Sequence, residues 1–300
     1  MKILVTGGAG FIGSHIVKTL DKQGHEVIVV DDLSSGKREN LPEHVNLIVG
    51  DVRDCEKLDL PEQIDHVFHL AAQMDVRHSV ADPLFDASVN VLGTIAVLNY
   101  AVKAGAKKCV FSSTGGAIYG PSEQIPTPET EPSFSSCPYG VAKYASEQYV
   151  KLFSRMHNLP YTILRYSNVY GPGQDGSRES GVIAIFCKKA NCKEPMTVFG
   201  DGEQTRDYVY VEDVVNANLR AMESEAQGEY NIATGVETSL NQLVDCLKNV
   251  VPHDIEVCYG EALPGEERRS CLHIEKARQE LGWEPCVGLR EGLERTFGSL

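Results

Sequence analysis

Short apolar runs alternate with longer amphipathic stretches along the first half of the chain. KILVT (2–6), EVIVV (26–30), VNLIVG (45–50), HVFHLA (66–71) and KCVFSS (108–113) are brief, rich in β-branched residues and almost uninterruptedly apolar. That is the pattern of strands covered on both faces. Between them, Phe11 to Gln23 and Ala87 to Ala104 carry apolar residues at helical spacing. Strand, helix, strand at this rhythm predicts an α/β fold with a doubly wound parallel sheet. YTILRYSNVYG (161–171) supplies a further strand that ends in a loop.

Beyond Gly171 the pattern changes. GPGQDGSRESG reads as a Gly/Ser connector, followed by a helix from Val182 to Ala190. TVFGDGEQTRDYVYVEDVVNANLRAME reads as strand, turn, strand, helix, and TSLNQLVDCLKNVV as an amphipathic helix. HIEKARQELGWEP is a helix closed by Gly282 and Pro285. The chain therefore divides into a sheet-forming part, 1–170, and a smaller α/β part, 171–300. Residues 204–232 are expected to return to the sheet, led by DYVYVEDVVNANLRAM (207–222).

Composition narrows the partners. There are 28 basic and 42 acidic residues among 300, a net charge of −14. Nucleic-acid binding needs a basic surface, so nucleic acid is not the expected partner. A small anionic ligand is still compatible, because a helix N-terminus and a few arginines can hold phosphate inside an acidic protein. Nine cysteines are scattered without a C-x-x-C pair, and Cys187 and Cys192 have no companions that would complete a zinc site. They read as reduced thiols of a cytoplasmic protein, with no metal. No apolar run is expected to reach the roughly 18–20 residues of a membrane span. The N-terminus runs directly into a glycine turn, unlike a secretion signal.

TGGAGFIGSH follows the first strand and opens the first helix, with Gly8-x-Gly10-x-x-Gly13 preceded by Gly7. Such spacing makes a tight turn, lets backbone N–H groups approach a pyrophosphate and lets the helix pack on the strand. The second strand ends in VVDDL, so Asp31 lies about 20 residues on, where a carboxylate can bind a ribose diol. That charge repels a 2′-phosphate, which favours NAD over NADP. Asp51, in GDV after the third strand, falls near the adenine position, although alone it reads equally as a turn residue.

CPYGVAKYASEQYV places Tyr139 in the first turn of a helix, behind Pro138, with Lys143 four residues later on the same face. Alone, the pair is an ordinary packed tyrosine and solvated lysine. A phenol with a pKa of about 10 must be lowered by roughly three units to act as a base near neutrality, about 4 kcal/mol of preferential stabilisation. A nearby ammonium together with an oxidised nicotinamide ring is an effect of that size. FSSTGGAIYG (111–120), just past the fifth strand, adds Ser112, Ser113 and Thr114 as hydroxyls at the sheet edge where ligands bind. A hydroxyl, a tyrosine and a lysine on a nicotinamide scaffold form a proton relay paired with a hydride acceptor.

Together these motifs resemble the extended short-chain dehydrogenase/reductases, and among them the UDP-glucose (UDP-galactose) 4-epimerases. The resemblance runs almost end to end, through TGGAGFIGSH, DDLSSGK, GDV, HLAAQ, SVNVLGT, SSTGGAIYG, PYGVAK, LRYSNVYGPGQD, FGDGEQTRDYVYVEDV and ARQELGW. It implies a Rossmann domain holding NAD through Gly7, Gly10, Phe11, Ile12, Gly13, Asp31, Asp32, Asp51, Val52, Leu70, Ala71, Ala72, Tyr139 and Lys143. It implies Tyr139 as base, Lys143 as its tuner and ribose ligand, and Thr114, or Ser113 when counted back from Tyr119, as the hydroxyl partner of the substrate. Asn168 and Arg206 would meet the sugar diphosphate and Phe199 the uracil. Without the resemblance, Arg206 reads as a surface ion-pair residue and Phe199 as a core residue. A homodimer through the helices at 87–104 and 139–156 is implied in the same way.

One segment departs from the family. In LPGEERRSC (263–271), Leu263 stands in place of the usual phosphate-binding arginine and Glu266 in place of an aspartate. Arg268 or Arg269 is then the candidate to compensate. The gate position falls on Ser270, whose small side chain leaves room for a 2-acetamido group, so N-acetylhexosamine nucleotides are expected substrates too. A dehydratase would need acids beside the threonine, where Gly115 and Gly116 stand. A nucleotide-sugar reductase or decarboxylase stays open as an alternative, as does a non-catalytic NAD-binding module, which would have no use for Tyr139, Lys143 and Thr114 together.

Overall fold

The uninterrupted apolar runs become buried strands because both faces of a parallel sheet are covered by helices. A computed structural model describes residues 1–176, 181–262 and 267–300. Along the chain come β1 (Lys2–Thr6), α1 (Phe11–Lys22), β2 (Glu26–Asp31), β3 (Asn46–Val49), β4 (His66–His69), α2 (Val76–Ala81) and α3 (Pro83–Ala87). A π-turn over Ser88–Leu92 leads into α4 (Gly93–Lys103), then β5 (Lys108–Thr114), α5 (Gly115–Ile118), α6 (Pro138–His157), β6 (Tyr161–Tyr166) and β7 (Asn168–Tyr170). The remainder is α7 (Val182–Asn191), β8 (Met196–Phe199), β9 (Thr205–Arg206), β10 (Tyr208–Tyr210), α8 (Val211–Glu223), β11 (Gly228–Ile232), β12 (Thr238–Ser239), α9 (Leu240–Lys248), β13 (Val257–Gly260), α10 (Glu275–Leu281) and α11 (Leu289–Phe297).

Seven of these strands form one parallel sheet in the order β11-β6-β5-β4-β1-β2-β3. The order reverses between β1 and β4, and the crevice outside the carboxyl ends of strands at such a reversal is where ligands of α/β sheets sit. On one face Ile16, Val17 and Leu20 of α1 join Val214, Ala217 and Met222 of α8, with Trp283 beyond α10. On the other, Val97, Leu98 and Ala101 of α4 pack with Val150 and Phe153 of α6. A third cluster, from Phe186 and Met196 through Leu243 to Leu293, is the core of the C-terminal part.

Several expectations are refined. The apolar stretch at 87–104 is helical as expected, but the helix begins earlier, at Pro83, and passes through a π-turn at Ser88–Leu92 before continuing as α4. The run from Pro83 to Lys103 is also long and apolar enough to cross a bilayer, contrary to the sequence reading. Here it behaves as a core helix, with Val97, Leu98 and Ala101 fully buried against the sheet. Within 207–222, β10 pairs with β7 in a separate two-stranded sheet, α8 covers the main sheet, and β11 is the segment that joins its edge.

Candidate active site

The carboxyl edge of the sheet collects the functional motifs because every strand of it points the same way. Gly7 follows β1 with φ +70°, and its carbonyl neighbourhood is so close to the loop after β4 that a Cβ there would stand 2.6 Å from the Ala71 nitrogen. Gly10 is the N-cap of α1, with no side-chain cap on the helix and no acid in its first turn. A Cβ on Gly10 would touch only the Gly7 carbonyl oxygen, so it would stand in the mouth of the turn. An uncapped helix start behind a backbone that can be closely approached fits the pyrophosphate of a dinucleotide.

Around that turn, Phe11 and Ile12 are half-buried in the first turn of α1, and Leu70, Ala71 and Ala72 line the loop after β4. Asp31 is buried. Its Oδ2 accepts from the Ala9 N–H at 2.9 Å and its Oδ1 from the Leu33 N–H at 2.9 Å. Burial pushes its carboxyl above the usual range, against those two bonds. Asp32 is exposed and its Oδ1 accepts from the N–H and hydroxyl of Ser34. Asp51 caps the short 3₁₀ turn that begins at Val52 and pairs with Arg53, which holds its carboxyl below the usual range. Val52 is buried under the start of α4.

Pro138 at the first position of α6 and Asn158 in the left-handed conformation at its end bound a 20-residue helix. This helix meets β5 and the turn after it, the elements that carry Thr114. Gly140 packs so tightly on the loop after β5 that a Cβ there would lie 2.2 Å from the Ala117 oxygen. The Lys143 Nζ lies 4.4 Å from the centre of the Phe111 ring, three residues before Thr114 on β5. Tyr139 is half-buried, and its hydroxyl has no hydrogen-bond partner among the described residues. Burial foremost, then the charge of Asp86, push the phenol above its ordinary value in the protein alone. The same burial pushes the Lys143 ammonium down to about 8, opposed by Glu147 and Asp86.

Ser113 and Thr114 are told apart by their partners. The Ser113 hydroxyl donates to Glu147 Oε1 at 2.7 Å, and Glu147 in turn receives both arms of the buried Arg165, at 2.9 and 2.6 Å. Thr114 is half-buried and makes no side-chain hydrogen bond among the described residues. Beneath the site a polar chain missed by the sequence reading runs from Thr6 Oγ1 to His69 Nδ1 (2.7 Å), and from His69 Nε2 to Thr94 Oγ1 (3.0 Å). From there Thr94 donates to the Asn90 carbonyl (2.6 Å), and the Asn90 amide donates to Asp86 Oδ1 (3.0 Å). Burial and the Lys143 charge lower His69 to about 3, so it is neutral. His69 stands in HLAAQ and Asn90 and Thr94 in SVNVLGT, where polar residues inside apolar segments were the available signal.

On the C-terminal side, Asn168 begins β7 and is exposed, and Phe199 ends β8 with its ring against Gly260. Arg206 donates to the carbonyls of Thr205 and Glu267, at 2.7 and 2.9 Å. Arg268 forms a two-armed pair with Asp201, and Arg269 with Glu237. Leu263 and Glu266 lie outside the described residues. Ser270 is half-buried, one residue before the segment that meets Thr127. In that segment Leu272 fills the space over Gly115, where a Cβ would lie 2.3 Å from its Cδ1. The buried Asp207, a further residue the sequence reading missed, holds this arrangement together. Its Oδ1 accepts from the Thr234 N–H and hydroxyl, and its Oδ2 from the Gly235 N–H and, at 3.4 Å, from Cys271 and Leu272.

A parallel sheet with a reversal, an uncapped glycine turn and a tyrosine–lysine helix at one edge define a nucleotide-dependent short-chain dehydrogenase/reductase scaffold. The chain belongs to the NAD dependent epimerase/dehydratase family, whose model matches residues 3–233. Among solved structures it is similar to a UDP-glucose 4-epimerase from Thermotoga maritima bound to UDP-glucose, with a TM-score of 0.95 and 49% identity, covering 100% of this chain and 98% of that one. A Thermus thermophilus UDP-glucose 4-epimerase in complex with NAD gives 0.92 and 40%, covering 100% and 98%. A UDP-N-acetylglucosamine 4-epimerase from Methanobrevibacter ruminantium gives 0.94 and 36%, covering 99% and 97%.

Proposed function

We propose that the protein is an NAD-dependent 4-epimerase that interconverts UDP-glucose and UDP-galactose through a 4-keto sugar. The observation that carries this reading is the convergence of Tyr139, Lys143 and Thr114 at the carboxyl edge of the sheet, beside the glycine turn. When bound, NAD accepts the C4 hydride and returns it, and its oxidised ring brings positive charge beside the phenol. Tyr139 takes the proton from the 4-hydroxyl and later gives it back. Lys143 opposes the upward push of burial on that phenol, and it binds the cofactor ribose. Thr114, whose hydroxyl is uncommitted to the protein core, holds the reacting hydroxyl, and Ser113 serves the core through Glu147. Residues 1–170, with 204–232, carry the cofactor, and 171–300 carry the nucleotide sugar.

Inversion at C4 requires the sugar to turn over while its nucleotide stays put. Asn168 and Arg206 therefore hold the diphosphate and Phe199 the uracil, and Arg268 reaches the diphosphate only by exchanging its Asp201 pair. The small Ser270 at the rim of the sugar site leaves space for a 2-acetamido group, so UDP-N-acetylglucosamine is a second substrate. The related UDP-N-acetylglucosamine 4-epimerase supports that reading. The nine cysteines are free thiols, which suits the cytoplasm. Exposed Leu92, Val141 and Tyr144, with Val80 and Leu84 beside them, make an apolar face suited to a second copy of this chain.

The test is to incubate the purified protein with each UDP-sugar, without added cofactor, and look for the C4 epimer. The expected result is epimerisation of both, a loss of about 10²–10⁴-fold in kcat for Tyr139→Phe, and a larger kcat loss for Thr114→Val than for Ser113→Ala. No epimer from either sugar, or full activity in Tyr139→Phe, overturns the proposal.

A further inference from the structure

The segment 267–273 crosses from the C-terminal part to the carboxyl edge of the sheet and is fastened at both ends. At its start, the Thr205 N–H donates to the Arg268 carbonyl at 3.0 Å and Arg206 to the Glu267 carbonyl at 2.9 Å. At its end, the Thr127 N–H donates to the Cys271 carbonyl at 2.8 Å, and the His273 N–H to the Thr127 carbonyl at 2.9 Å. Near that end Leu272 sits on Gly115, the residue after Thr114. Ile118, Tyr119, Ala233, Leu272 and Ile274 form a buried cluster there, separate from the three larger cores.

One side chain joins that end to the rest of the site. Asn231, on the edge strand β11, is fully buried. Its Nδ2 donates to the carbonyls of Thr127 (3.0 Å) and His273 (3.1 Å), and its Oδ1 accepts from the Tyr119 hydroxyl at 2.7 Å. The amide thus spends both donors and its acceptor on three different segments. Beyond Tyr119 the bonds continue through Arg165 (2.9 Å) and Glu147 to Ser113, beside Thr114. Glu147 lies on α6, the helix of Tyr139 and Lys143. A buried amide used on every side fixes the placement of what it joins, because leaving one of its groups unpaired costs about 1–3 kcal/mol.

We propose that Asn231 is a positioning residue of the reaction: it docks the strap 267–273 on the frame that carries Thr114 and Tyr139, and so sets the spacing between the nucleotide grip at Arg206 and the reacting groups. The proposal rests on the roles given above to Arg206, Thr114 and Tyr139. The sugar turns over while its diphosphate stays held, so one spacing from diphosphate to base has to serve both faces of C4. A strap fastened at both ends supplies that spacing. Released at Asn231, it keeps its hold on β9 at the nucleotide end and loses its register against the turn after β5.

Asn231→Asp keeps an acceptor for Tyr119 and turns the two donors into an oxygen that faces two carbonyls. In that variant, amide hydrogen exchange in the peptides that hold Thr127 and His273 is expected to quicken, with β1 to β5 unchanged. UDP affinity, measured by calorimetry, is expected to stay as in the wild type, and kcat per UDP-binding site to fall about 10–100-fold. Counting turnover per UDP site removes the effect of a smaller folded fraction, which is all that a merely structural residue would change. If Asn231→Asp does not fold, Asn231→Ser, which loses a donor and adds no charge, is measured in the same way. An unchanged kcat per UDP site, a UDP affinity that falls in step with kcat, or unchanged exchange in a folded variant overturns the proposal. If the wild type binds UDP but epimerises neither sugar, the reaction proposed above falls, and the docking role of Asn231 is decided by the exchange measurement alone.

Discussion

Lys143 keeps its amine in a place that opposes its charge. Burial lowers its pKa to about 8 from 10.5. A group with a depressed folded pKa contributes stability above its unfolded value and loses it as pH falls through the folded one. The charged lysine therefore weakens the cofactor-free protein at neutral pH, by about 3 kcal/mol for a shift of that size at ~1.4 kcal/mol per unit. Lys143→Met keeps the apolar stem and removes the penalty. It is expected to raise the urea midpoint at pH 7, with a gain of about 3 kcal/mol, because the lowered pKa already contains the attraction of Glu147 and Asp86. The gain should shrink as pH rises from about 8, vanish above about 10.5, and be accompanied by loss of epimerisation. A lower midpoint at pH 7 would contradict this.

At the scale of elements, the strand–helix contact between β5, β6 and α6 is held by a buried ion pair. Glu147 is wholly buried, Arg165 nearly so, and Tyr119 adds a further bond to the guanidinium at 2.9 Å. Removing one partner of such a pair strands the other. Arg165→Met should cost about 3–5 kcal/mol in chemical denaturation, and adding Glu147→Leu should restore most of it. The apolar runs made the central strands legible in the sequence, since strands buried on both faces carry little else. The ion pair was not legible: Glu147 looks like any polar residue of an amphipathic helix, and only the fold brings it to Arg165. The π-turn was hidden for a related reason, because SVNVLGT continues the helical spacing and the extra residue in the turn shows only when Asn90 faces inward. Asp207 was hidden inside TRDY, where Arg206 drew attention and the neighbouring acid had no visible partner. At the site, the glycine turn and the tyrosine–lysine helix announced themselves by spacing. That Ser113, and not Thr114, donates to Glu147 was not legible, because both are small hydroxyl residues at the end of one strand.

At the scale of the whole molecule, exposed apolar side chains stand on α2, α3, the π-turn and α6. Leu84 is 84% exposed and Val80 63%. A homodimer through this face would place the helix that carries Tyr139 beside its counterpart. Leu84→Asp is expected to shift sedimentation from dimer to monomer while changing monomer stability by no more than about 0.5 kcal/mol, as befits an exposed site. A wild-type protein that sediments as a monomer at micromolar concentration would remove the proposed assembly.

The single carboxylate of Asp207 follows Arg206 in the chain and clasps the backbone on either side of the rim at 234–235 and 271–272. A rim fastened in this way cannot be widened alone. If Ser270 and Arg206 take the roles proposed for them, remodelling around Ser270 to admit a bulkier sugar would tug on the same clasp and disturb the hold on the diphosphate, so a broader diet and a firm hold on the nucleotide should prove hard to select for separately.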